Sequence, residues 1–486
     1  MLTEAETHIR NANSEPPLRV TCIEILKLAL PQACTNVLTL TNELTNTVCL
    51  GHVGNDAALA AIGLGNMMQN CFGLSIGFGV AASLDTLVSQ AYGAGQHLLC
   101  CHYLQRCRVI LTLQLLWMVP MLWNCDKWLI ALQQNPEVAQ DAADYNRASV
   151  FGLFFCFQFE CNKKFLGNRG HPTPGAVISG ICSLLHILWA YLFVVRFGMG
   201  NSGAGYANAL TWFLQCMLSF VYLFWYTTKC GLQKQQVLLV QRAGLQEWLP
   251  FIKIALPATV QLCSEWWFWE VCALVVGYLG DVALAAHVSA LNFIALAFMP
   301  TIGLNMASAT IAGNSVGANL PVKAKQSVWL CVAFTAITWT ILGAAIFVFR
   351  DVITEAYTED HDVRKTMERL LLIYLLAGYF DNIQNVMGGA LRGVGWQRFP
   401  AAVYMITFYV IMLPIGCAFA FPLNMGVDGI WWSMAIGTAL ATFAFSVVLG
   451  RMDWAGLAAE ASKKMQRDGL EAASASTISL DQLMGS

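Results

Sequence analysis

The sequence predicts an all-α membrane protein of twelve transmembrane helices, arranged as two six-helix lobes related by pseudo-two-fold symmetry. Three observations predict it. The composition is 57% hydrophobic and 12% charged, with a mean hydropathy of +0.56; a soluble domain carries roughly 25% charged residues. Apolar runs of about 20 residues, long enough to cross a bilayer core, recur along the chain. The chain also repeats itself at an offset of 224 to 226 residues. Ala29-Leu30-Pro31 returns as Ala255-Leu256-Pro257, Leu59-Ala60-Ala61 as Leu284-Ala285-Ala286, and Gly93-Ala94 as Gly317-Ala318. Further on, Leu166-Gly167-Asn168-Arg169-Gly170 aligns with Leu391-Arg392-Gly393-Val394-Gly395.

Residues 1–20 form a polar tail with three glutamates and no apolar core of a cleaved leader, and are expected to be cytoplasmic. The first lobe covers 21–228, with spans near 22–50, 60–91, 109–125, 149–166, 175–196 and 204–226. A polar connector, 229–249, leads to the second lobe at 250–451. Its spans lie near 250–277, 283–313, 327–349, 369–391, 400–421 and 427–450. The charged segment Asp351 to Arg369 reads as a solvated outer loop. Residues 452–486 read as a cytoplasmic tail, too polar and small to bury a core and expected to be disordered, with a short amphipathic piece near 455–470. Pro31 and Pro257 occupy matching places in the two lobes, and Pro300 and Pro414 fall within spans, where proline kinks a helix.

An even number of spans puts both tails on one side. That side collects most of the 27 Lys and Arg residues, Lys163, Lys164, Lys323 and Arg451 among them. Positive charge marks the cytoplasmic face, so both termini are expected to be cytoplasmic. Most of the 17 cysteines lie in apolar runs, where they act as small apolar residues. No C-x-x-C pair occurs, so neither zinc nor redox chemistry is implied. Cys100-Cys101 is expected in a cytoplasmic loop.

The chemistry concentrates in the second lobe. Glu265-Trp266-Trp267-Phe268-Trp269-Glu270 puts two carboxyls and their indoles deep inside a span. At 100° per residue the two glutamates point about 140° apart. Trp269 lies four residues after Glu265 and Trp266 four before Glu270, so each acid has an aromatic face beside it. Carboxylate plus indole suits an organic cation, and an acid in an apolar setting resists ionisation and can exchange protons near neutral pH. Asp381 heads a second polar face, with Gln384, Asn385 and Gly388 at i+3, i+4 and i+7. Charge at membrane depth is costly and marks function. The first lobe has amides and hydroxyls instead: Gln32, Thr35, Thr39, Asn42 and Asn46 stripe its first span, and Asn66, Gln69 and Asn70 its second. Glu43 and Asp85 are its deep acids. No G-x-x-x-x-G-K-[ST] occurs, so ATP hydrolysis is not expected, and the eight histidines show no metal spacing.

Leu84-Asp85-Thr86-Leu87-Val88-Ser89-Gln90-Ala91-Tyr92-Gly93-Ala94-Gly95 resembles the helix-two signature of the multidrug and toxic compound extrusion (MATE) family. Leu50-Gly51-His52-Val53-Gly54 resembles its first outer loop, and Gly388 to Gln397 its helix-ten exit motif. The resemblance covers 21–451 and is closest to the eukaryotic branch. It implies a cation-coupling role for Glu265, Glu270 and Asp381, and substrate contact for Trp266, Trp269 and Asn36. Two departures stand out. Where many bacterial members carry a helix-one aspartate this chain has Asn46. Near an extra helix-eight acid of animal members it has Asn292. Asn292 and Asn385 complete the expected substrate set.

The function expected is a secondary antiporter, not an enzyme. It would export small organic cations or other amphipathic metabolites in exchange for H⁺, with Na⁺ as the alternative coupling ion. No cofactor and no nucleic acid are expected. The protein is expected as a monomer in the plasma or vacuolar membrane. Two alternatives remain. A lipid-linked precursor flippase would favour a basic cavity. A membrane acyltransferase would need a base such as His186 or His287, and His186 sits alone in an apolar run.

Overall fold

The structure is a computed structural model that describes residues 16–52, 56–229, 234–238 and 241–484. Val53 and Gly54 of the first motif, and most of the N-terminal tail, lie outside the described residues. Among the described residues there is no strand. The helices are α1 (Leu18–His52), α2 (Ala58–Gly93), α3 (His97–Trp123), the two-part α4 (Pro136–Ser149 and Gly152–Asn168), α5 (Thr173–Arg196), α6 (Gly200–Lys229), α7 (Trp248–Gly277), α8 (Asp281–Gly317), α9 (Pro321–Tyr357), α10 (His361–Gly393), α11 (Arg398–Ala420), α12 (Val427–Arg451) and α13 (Trp454–Met484). The described residues are thus all-α, and α1 to α12 stand in the places of the twelve expected spans. Nine of the described helices are long and apolar enough to cross a membrane by composition alone. The other three expected spans, α1, α4 and α7, are helical too; α1 and α7 carry Glu43, Glu265 and Glu270.

The repeat is written into the helix ends. α2, α8, α4 and α10 each finish on a residue with left-handed backbone: Gly95 (φ 76°), Asn319 (φ 57°), Gly170 (φ 83°) and Gly395 (φ 93°). Each is followed by the same six-to-one closure, from Gln96 N to Ala91 O, Leu320 N to Ser315 O, His171 N to Leu166 O and Trp396 N to Leu391 O, at 2.8 to 2.9 Å. This closure satisfies carbonyls that a helix end leaves unpaired. Glycine or asparagine is what such a backbone favours.

Contacts divide the chain into two compact units, and the division falls inside helices rather than at the polar connector. The C-unit holds residues up to Ala33 together with Ser264–Ser462, and the N-unit holds Cys34–Cys263 together with Lys463–Ser486. α1 and α7 are therefore each shared at mid-length. In the C-unit α10 is the central element, packed by α8, α9 and α12 around buried Tyr374, Trp339, Trp431 and Tyr404. In the N-unit α6 packs on both parts of α4 and on α5, with α3 against the second part of α4.

Three sequence expectations are corrected. The segment read as a solvated loop at 351–369 is mostly helix. α9 runs to Tyr357 and α10 starts at His361, capped by the Asp360 carboxylate, which accepts from the Asp362 and Val363 amides at 2.8 and 3.2 Å. The tail is one helix to Met484, since its alanines favour helix as much as they forgo a core. Trp454, Ala458, Met465 and Ala472 are its buried face. Cys100 and Cys101 are fully buried inside α3 rather than in a loop.

Candidate functional site: a carboxyl pair on α7 and α10

Where α7 enters the C-unit, Phe268 is buried and stacks on Phe408 of α11, with centroids 5.1 Å apart. That packing fixes the helix rotation. It leaves Glu265, Trp266, Trp269 and Glu270 half-buried on either side of Phe268. Tyr409 of α11 donates to the Ser264 carbonyl at 3.1 Å and holds the same turn.

Asp381 is 8% exposed in the middle of α10. Its two oxygens are held by neutral donors on its own helix. Gln384 Nε2 donates to Oδ1 at 3.0 Å, one turn on, and Tyr374 Oη donates to Oδ2 at 3.2 Å, two turns back. Gln384 Oε1 is buried and has no hydrogen-bond partner. An amide flip would place that acceptor against Asp381. A protonated Asp381 could then donate to it, whereas the present arrangement suits the carboxylate.

Glu265 is reached from α10 and α8 through a chain of amides. Asn385 Nδ2 faces Glu265 Oε1 at 3.4 Å. Asn305 Nδ2 of α8 donates to Asn385 Oδ1 at 2.8 Å and to its backbone carbonyl at 2.6 Å. Arg392 Nη2 donates to Asn305 Oδ1 at 2.6 Å. Gly389 makes this possible, because a Cβ there would collide with the Asn305 carbonyl and side chain. Asp381 lies one turn before Asn385 on the same face of α10. The structure thus joins Glu265, Asp381 and Asn385 in one cluster.

Glu270 is not part of it. It sits across α7 from Glu265, as the 140° rotation requires, and among the described residues no hydrogen bond or ion pair ties it to the cluster. Asn292 is exposed on α8. Asn36, on the N-unit part of α1, is half-buried, with its amide nitrogen buried and unpartnered.

The N-unit builds a different polar interior. Thr35, Asn42 and Asn46 of the α1 stripe are buried there and Thr39 is exposed, while Gln32, buried too, lies on the C-unit part of α1. Asn46 Nδ2 donates to Asn208 Oδ1 (2.9 Å), Asn208 Nδ2 to Tyr145 Oη (2.8 Å), and Tyr145 Oη to Asn66 Oδ1 (2.6 Å). His186 is fully buried but not alone as its run suggested. Its ring bridges Thr211 Oγ1 at 2.7 Å and Asn46 Oδ1 at 3.2 Å. Glu43 is half-buried, and its charge reaches Tyr145. Asp85 is closed off by Lys164, whose Nζ lies 2.9 and 3.1 Å from its two oxygens, and by Asn168 Nδ2 at 3.2 Å.

Sequence reasoning missed Arg392 and Asn305 as parts of the cluster. Arg392 lay in view as a motif residue, but nothing local linked it to an acid more than 120 positions earlier.

A family model described as MatE matches residues 31–192 and again 257–417. Multidrug and toxin extrusion protein 1 of Danio rerio is 28% identical over 89% of this chain and 72% of its own length. Multidrug and toxin extrusion protein 2 of Oryctolagus cuniculus is 30% identical over 88% and 70%. Protein DETOXIFICATION 16 of Arabidopsis thaliana is 26% identical over 91% and 90%. Among solved structures, a eukaryotic MATE transporter, AtDTX14, superposes with a TM-score of 0.87 at 21% identity, covering 92% of this chain and 99% of that one.

Proposed function

Because the chain belongs to the MatE family of multidrug and toxin extrusion membrane transporters, we propose that it exports organic cations in exchange for protons, using Glu265 and Asp381 as one shared site. The observation that carries this reading is the placement of half-buried Glu265 against Asn385, one turn of α10 from buried Asp381, with neutral hydrogen-bond donors around Asp381. Two like charges so placed oppose each other's ionisation, so a cation or a proton relieves the same repulsion. A ligand shifts only the equilibrium it binds differentially, and here proton and cation compete for the same oxygens. Trp266 and Trp269 offer indole faces beside the acids. Asn385 aims a donor at Glu265, and Gln384 can serve either protonation state of Asp381. Asn36 and Asn292 are assigned to substrate contact, and Glu270 to an independent carboxylate that binds cation or proton on the other face of α7.

Both termini are assigned to the cytoplasm, on the charge asymmetry of the loops. The protein is assigned to the plasma or vacuolar membrane as a monomer. A diphosphate-lipid flippase is disfavoured, since the half-buried and buried charges of this cluster include two acids. Membership in a transporter family sets aside the acyltransferase. The test is transport of a fluorescent organic cation in proteoliposomes under a proton gradient or a sodium gradient alone. Movement driven by ΔpH and lost in Glu265→Gln supports the proposal. Movement driven only by sodium, or unaffected by Glu265→Gln, refutes it.

A further inference from the structure

The amide chain that ends on Glu265 has a fixed direction, and Arg392 sets it. An asparagine side chain can present either end to a neighbour, so a row of amides alone has two equivalent polarities. A guanidinium only donates, and it keeps its charge at any physiological pH. Arg392 Nη2 lies 2.6 Å from Asn305, so the Asn305 oxygen must face it. Asn305 Nδ2 then has to point at Asn385, where it meets both the side-chain and the backbone oxygen, at 2.8 and 2.6 Å. Asn385 Oδ1 is thereby taken, and its remaining end, an N–H donor, is turned to Glu265. No other assignment gives every contact a donor and an acceptor.

We infer that Arg392 is a positioning residue for ion exchange: through Asn305 and Asn385 it keeps a hydrogen-bond donor aimed at Glu265, and so sets the pH at which that carboxyl exchanges its proton for a cation. The inference rests on the antiport reading for its function but not for its geometry. The group set against Glu265 is the Asn385 amide of α10, with Asn305 of α8 behind it; Asp381, Tyr374 and Arg392 share α10 with Asn385, and from α11 Tyr409 holds the neighbouring Ser264 carbonyl. Arg392 is the cation of this set. The backbone approach at Gly389 keeps α8 close enough for Asn305 to span the two.

The experiment compares wild type, Arg392→Gln, Arg392→Lys and Asn305→Leu, each purified in lipid nanodiscs and in proteoliposomes. One readout is infrared difference spectroscopy of the protonated-carboxyl band, assigned to Glu265 by its absence in Glu265→Gln. The other is the pH of half-maximal cation transport. Glutamine can flip and carries no charge, so Arg392→Gln is expected to move both midpoints to higher pH by roughly half a unit or more. Lysine also only donates, and is expected to restore most of the shift. Asn305→Leu keeps the charge but cuts the chain, and is expected to move the midpoints the same way by less. A Glu265 band with the same pH dependence in wild type and Arg392→Gln overturns the inference. So does a shift in Arg392→Gln with none in Asn305→Leu, which would leave a bare field effect. If transport proves not to be proton-driven, the antiport reading fails while the infrared titration still decides the role of Arg392.

Discussion

Asp85 in the N-unit and Asp381 in the C-unit are both buried aspartates on membrane helices, and they are treated in opposite ways. Asp85 has a lysine at 2.9 Å and an asparagine at 3.2 Å. Asp381 has a tyrosine and a glutamine, both neutral, and one turn on Asn385 ties its helix face to a second carboxyl, Glu265. A buried acid with a cation bonded to it is a fixed pair, and removing either partner strands the other. A buried acid held by neutral donors has no fixed counter-charge, so a proton or a cation can supply it. The difference separates an acid that fastens the fold from one that can load and unload. It also explains why counting deep acids from sequence is a poor guide: the deciding partner, Lys164, lies 79 residues from Asp85.

The comparison can be broken by mutation. The largest effect is expected for Glu265→Gln and Asp381→Asn: loss of proton-driven export by tenfold or more at unchanged membrane expression, read in proteoliposomes and by size-exclusion chromatography. If Asp381→Asn exported normally with an unshifted pH profile, the pair would not be a unit. Lys164→Met is expected to strand Asp85 and cost roughly 3–5 kcal/mol, seen as a large fall in thermal stability in detergent. The double variant Asp85→Asn with Lys164→Met should recover much of it. Glu270→Gln is expected to weaken cation binding several-fold while leaving the midpoint of the pH profile in place, because among the described residues no hydrogen bond or ion pair links it to the pair; a displaced midpoint would put Glu270 into the coupling cluster. Tyr145→Phe is expected to have the smallest effect. It removes the Tyr145 hydroxyl from Asn66 Oδ1 and Asn208 Nδ2, costs about 1–3 kcal/mol, and should leave coupling alone.

Much of the fold was legible, because hydropathy and self-similarity act locally. The repeat in Gly93-Ala94 and Gly317-Ala318 corresponds to matched helix terminations at Gly95 and Asn319. The α1 stripe is buried except for Thr39. The opposite facing of Glu265 and Glu270 followed from helical geometry alone. What could not be read was contact across helices. His186 looked isolated because its partners, Asn46 and Thr211, are 140 and 25 residues away. The Arg392 chain was hidden for the same reason. Asp351 to Arg369 was mistaken for a loop because its charges signal solvent, and helices can extend beyond an apolar core into solvent.

The most direct measurement is proton release on cation binding. Purified protein in weakly buffered detergent solution would be mixed with a saturating organic cation while the pH is followed. Competition for Glu265 and Asp381 requires protons to leave as the cation enters, and apparent affinity to fall as pH is lowered. The account predicts release in wild type that is lost in Glu265→Gln. Cation binding of unchanged affinity across pH 5 to 8, with no proton released, would contradict it.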